Sequence, residues 1–192
     1  MKKLRFFLIA AFMFVAFFIY GQNIDNQSFN ARRIETNRKA MLILGGWALG
    51  NMAVSGVKVG NTEGVSKGFH QMNIGWNAFN FSLAAFGYYA ALKENPASID
   101  GFNTINEHYK LQNIFLFNTG LDVAYVAGGA WLMERGKTAK KPEQMKGFGQ
   151  AVIMNGAFLF VFDIGNYLIH NAQNDKIRML LKGNEVGLSW HF

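Results

Sequence analysis

Between residues 69 and 92 the chain carries no charge at all, yet His70, Asn73, Asn77 and Asn80 interrupt this apolar run. Their separations of three, four and three residues place them on one stripe of a helix. Asn118, Asp122, Tyr125 and Gly129 share a second stripe, and Asn155, Asp163, Asn166 and His170 a third. Asn51 stands beside a GGWALG segment whose glycines permit close backbone approach. Amides and carboxyls in apolar surroundings support two kinds of chemistry. They hydrogen-bond across helices and fix their register, or they bind and pass a proton or small cation. The acids press the question harder. An ionised carboxylate near a bilayer midplane costs at least about 2.5 kcal/mol, and no Lys or Arg lies within the apolar runs to neutralise Asp122 or Asp163. Each must be protonated, cation-bound or well hydrogen-bonded.

The elements that hold these residues follow from the same runs. Residues 40–57, 69–92, 111–133 and 147–174 reach membrane-spanning length, and the only charges within them are Asp122 and Asp163. Runs of this kind are too long for buried strands and too apolar for surface helices. In lipid a helix satisfies its own backbone, which an open strand cannot do. The expectation is an all-α, transmembrane four-helix bundle over residues 40–174. The connections are polar, and Pro96 and Pro142, the only prolines, fall in them, where no helical N–H is lost.

The flanks read differently. Lys2, Lys3 and Arg5 precede a fifteen-residue apolar stretch from Phe6 to Tyr20, and Gly21 follows. That is the layout of a signal peptide or signal anchor over residues 1–21. Residues 22–39 are polar and could start a helix lying at the membrane interface. Residues 175–192 form a tail in which Gly183-Asn184 separates two short apolar-rich arms, a β-hairpin-like pattern.

Composition supports a lipid environment. Half the chain is hydrophobic and only 16% is charged, against about a quarter in soluble domains. The net charge of +7 points to anionic headgroups rather than nucleic acid, because the basic residues form no block interleaved with aromatics. Expected partners are the lipid bilayer and, within it, a second copy of the chain or another membrane protein. The absence of cysteine excludes disulfides and thiolate metal sites.

The two halves look duplicated. KGFHQMNIGWNAFNFSLAAFGY (67–88) and KGFGQAVIMNGAFLFVFDIGNY (146–167) agree at nine of 22 positions. The runs before them align more faintly, and in that register Asn51 corresponds to Asp122. Two helical hairpins related by an axis near the membrane normal account for this. The segments LGGWALGN, KGFHQMN-x-x-WN, LFNTGLDVAYVAGGAWLMERG and GFGQAVIMNGAFLFVFD together resemble an uncharacterised family of small multi-pass membrane proteins from Bacteroidetes-type bacteria. The resemblance covers most of Ala40 to Tyr167. It implies the architecture, and no activity, ligand or catalytic residue.

A normally inserted signal places the mature termini outside the inner, cytoplasmic membrane of a bacterium, and the basic loop 135–147 inside. His108 and His170 then lie near the outer face and His70 at the inner one. Facing histidines could ligate a haem, but His108 sits in the polar sequence NEHYK, so all three are expected as interfacial residues. No cofactor and no metal site is expected. No P-loop, zinc pattern or nucleophile elbow accompanies the acids, so the chain is expected not to be an enzyme. Two functional classes remain: a structural or accessory bundle with an Asn/Asp core, and a small cation or proton transporter, channel or sensor. For Asp122 and Asp163, straight helices predict a depth offset of about 6 Å, too far for direct contact and bridgeable by Asn118 or Asn166.

Overall fold

The computed structural model describes residues 2–178, with side chains from Asn26 onward. Four long helices dominate: α1 (Lys2–Val59), α2 (Gly64–Lys93), α3 (Gly101–Gly136) and α4 (Pro142–Asn171), with a 3-10 turn at Pro96–Ser98. Residues 174–178 add one more helical turn, and there is no strand among the described residues. The hairpin expected around Gly183-Asn184 lies outside those residues.

The ends of the helices have local causes. Asn95 accepts from the Ala97 N–H at 3.0 Å and holds the 3-10 turn. Asp100 accepts from the Asn103 N–H at 2.8 Å and caps α3. Pro142 occupies the first turn of α4, where its missing N–H has no consequence. Residues 22–39 are helical, and α1 runs through them into the first apolar run. That stretch contains no Pro or Gly, and Glu35 pairs with both Arg38 and Lys39 at 3.5 Å, the i,i+3 and i,i+4 spacing that supports a helix.

α1 packs along α2, and α3 packs along α4, so the chain forms two helical hairpins. They join through α2 and α4, while α1 meets α3 and α4 only locally. The repeated KGF motif is the joint. A Cβ on Gly147 would collide with the Val65 carbonyl and the Phe69 N–H, and one on Gly68 would sit 2.7 Å from the Gln144 carbonyl. Only glycine in both copies lets the two backbones cross here.

The interior is more polar than apolar. A small hydrophobic cluster of Ala40, Leu44, Ala84, Phe115, Leu159 and Phe162 holds the middle. Among the described residues sixteen buried side chains are polar or charged and thirteen are hydrophobic, while Phe86, Phe102 and Phe117 stand 69% or more exposed. Among the described residues two helical stretches, Asn26–Val59 and Pro142–Arg178, are long and apolar enough to cross a membrane.

Candidate functional site

The polar stripes turn inward and form three groups. The first ties α1, α2 and α4 together. Asn73 Nδ2 donates to Ser55 Oγ (2.8 Å) and to Asn51 Oδ1 (3.1 Å). Asn73 Oδ1 accepts from Asn77 Nδ2 and from Asn155 Nδ2, both at 2.8 Å. Asn155 Oδ1 in turn accepts from Asn77 Nδ2 (3.0 Å) and Trp47 Nε1 (3.2 Å). The Trp47 ring stacks on Phe158 with centroids 4.0 Å apart. Near the start of α2, His70 Nδ1 lies 3.0 Å from Ser55 Oγ. Asn73, Asn77 and Asn155 are all but inaccessible, so these bonds are made in a site without bulk water, where an unmade one is most costly.

The second group holds the acids. The Asp163 carboxyl lies within interaction range of the Asp122 carboxyl and of Asn118, and both acids are buried. The expected offset does not separate them. Cα–Cβ bonds tilt towards a helix's N-terminus, so on antiparallel helices Asp122 leans outward and Asp163 leans inward, and the two converge. Because carboxylates only accept, a hydrogen bond between two carboxyls requires a proton on one of them. Asn166 takes no part: its Nδ2 donates to the Phe162 carbonyl of its own helix at 2.7 Å.

Beside the acids lies a cavity of about 730 Å³ between α2 and α3, to which all four helices contribute. Asn80, Asn118, Asp122 and Asp163 line it among apolar side chains. Asn80 Nδ2, Trp76 Nε1 and Asp122 Oδ2 are buried without a hydrogen-bond partner among the described residues.

The third group caps the end of the bundle where α2 stops and α3 begins. Asn30 Nδ2 donates to Thr104 Oγ1 at 2.7 Å, and Arg33, 1% exposed, pairs with Glu94 at 2.6 Å. His108 Nε2 lies 2.8 Å from Asn174 Oδ1, which also accepts from Gln112 Nε2 at 2.6 Å. The His108 and His170 rings sit 6.1 Å apart, centroid to centroid. Both rings are completely enclosed, and His70 is buried too. Burial holds the His108 imidazole below its ordinary 6.5; the Asn174 hydrogen bond opposes this and the Arg33 charge adds to it. Among the described residues no three His, Asp or Glu side chains are grouped to hold a metal ion.

Sequence reasoning missed the partners Trp47 and Ser55, and the whole cap of Asn30, Arg33, Thr104, Gln112 and Asn174. The i,i+4 series Thr104, His108, Gln112 carried a usable signal.

These features define an all-α four-helix bundle held by a buried amide network, with two acids within range of each other beside a cavity. The chain belongs to a family of unknown function, DUF6992, whose model matches residues 43–164. The match takes in the amide network and the acid pair and leaves out Arg33 and His170. No curated protein and no solved structure matches the chain.

Proposed function

We propose that this protein is a multi-pass protein of the bacterial inner membrane, its mature termini periplasmic, serving as a structural or accessory bundle without catalysis of its own. The observation that carries this reading is the inverted distribution of side chains. Large apolar residues such as Phe86 and Phe117 face outward, while asparagines fill the centre and bond to one another. Water punishes such a surface, and lipid favours it. An interior in which Asn73, Asn77 and Asn155 bond to one another fixes helix register and leaves a presented outer surface for a second copy or another membrane protein.

The alternative is a cation or proton carrier. The proximity of Asp122 and Asp163, with no Lys or Arg beside them in the spans, favours this second reading. Ion and proton flux in proteoliposomes separates the two. The accessory reading expects wild-type flux equal to empty liposomes, with Asp122→Asn folded and functional in the cell. Flux above background that Asp122→Asn abolishes, at unchanged melting temperature, would overturn it.

A further inference from the structure

We infer that the cavity between α2 and α3 is a binding site for a single acyl chain whose uncharged head carries both a hydrogen-bond acceptor and a donor. Three observations point to this ligand. The first is size: about 730 Å³ falls within the roughly 300–1,000 Å³ of small-molecule sites. The second is shape. The slot runs from Met72 to Gly87 along α2 and from Tyr125 to Leu111 along α3, fifteen and fourteen residue steps, about 21 Å. Leu83, Ile114, Phe115 and Met41 line that length. An extended hydrocarbon chain fits such a slot better than a compact ring does.

The third is the chemistry of the inner end. Trp76 and Asn80 are one helical turn apart on α2 and both line the cavity. Their Trp76 Nε1 and Asn80 Nδ2 donors are buried and have no partner among the described residues. Opposite them on α3, Asp122 Oδ2 has none either. Asn80 and Asp122 are at most 4% exposed. Buried polar groups are rarely left unpaired, and here two donors and one carboxyl oxygen converge on the same space. A carbonyl oxygen answers the donors, and a hydroxyl answers Asp122 Oδ2. A cationic amine would satisfy Asp122 alone and strand both N–H groups. The T-shaped contact of Trp76 on Tyr125, at 4.9 Å, bridges α2 and α3 at this end. Phe79 and Leu83 on the flank are exposed, which leaves the slot open to entering lipid.

Monoacylglycerols and protonated fatty acids share this head chemistry, and the test separates them. The full chain in nanodiscs is equilibrated with monoolein, oleic acid or 1-octadecene, and the bound probe is counted by mass spectrometry against empty nanodiscs. One monoolein or one oleic acid per chain is expected, with octadecene retained no better than by empty discs. Which of the two binds identifies the source. Asn80→Leu and Trp76→Phe should each weaken retention about tenfold, the effect of one buried hydrogen bond. Leu83→Trp, at an exposed rim position, should block entry without disturbing buried polar groups, and so serves if the other variants fail to fold. Equal retention of octadecene and the headed probes would overturn the inference, as would unchanged retention in folded Leu83→Trp. A dimer cross-linked through this groove, with no probe retained, would overturn it in favour of a second copy.

Discussion

Replacing Asn155 with leucine isolates the contribution of the amide network, because the two side chains have similar volume. Three interhelical hydrogen bonds disappear: those with Trp47 and Asn77, which end on Oδ1, and the one donated by Nδ2 to Asn73. Side-chain bonds between membrane helices average about 0.6 kcal/mol each, so the loss should be about 2 kcal/mol. The damage falls unevenly. Asn73 Oδ1 keeps the Asn77 donor at 2.8 Å, and Asn77 keeps Asn73, so only the Trp47 N–H is stranded. Trp47→Phe removes that N–H and retains an aromatic ring to stack on Phe158. Combined with Asn155→Leu, it should therefore cost clearly less than the sum of the two single changes. Reversible unfolding by dodecyl sulfate in mixed micelles, followed by circular dichroism, measures all three variants. A loss below about 0.5 kcal/mol for Asn155→Leu, or strict additivity in the double variant, would refute the claim that these bonds hold the hairpins in register.

Gly147→Ala should destabilise the bundle by about 3 kcal/mol, the upper end for overpacking, since its Cβ meets fixed backbone of α2. Gly120→Ala, with open space at its Cβ, should be neutral or slightly stabilising in the same assay. Acid should weaken the cap of the bundle through His108. Its folded pKa lies below the unfolded 6.5, so the unfolded state binds more protons between the two values and stability falls as the pH drops through that window. Melting scans from pH 7.5 to 5 should show this decline, and His108→Gln should lessen it. Single cysteines at Ser98 and Thr138 report topology: in intact spheroplasts only the one at Ser98 should react with an impermeant maleimide, and labelling at Thr138 would reverse the proposed orientation.

The inward stripes on α2, α3 and α4 were legible because a polar residue in an apolar run is conspicuous and its spacing reveals the face. Asn30, Arg33 and Gln112 escaped for the opposite reason. They lie in or beside polar stretches, where polarity says nothing about burial. The acid pairing escaped because axial rise alone places Cα atoms, whereas the direction of Cα–Cβ decides which side chains meet. Asn155 was recognised as a core residue, but nothing in its neighbourhood in sequence announced Trp47, 108 positions away, as its partner.

The repeat explains why one half of the bundle is filled with amides and the other keeps a cavity. In the alignment of the KGF segments, Trp76 corresponds to Asn155. Both residues reach across to the first helix of the opposite hairpin: Asn155 to Trp47 on α1, Trp76 to Tyr125 on α3. At one crossing the short partner is an amide, so the Trp47 indole folds in over Phe158 and donates to it, and the space closes. At the other the indole belongs to α2 itself and meets the edge of a second aromatic ring, which holds α2 away from α3. Asn77 corresponds to Gly156, whose missing side chain admits Tyr125 and Val126. α3 is thereby drawn onto α4 and away from α2. Asn51, bonded within the network, corresponds to Asp122, which is left lining the slot with one oxygen unpartnered. The duplicated scaffold therefore needs only a few substitutions to convert a closed crossing into an open one with hydrogen-bonding capacity to spare.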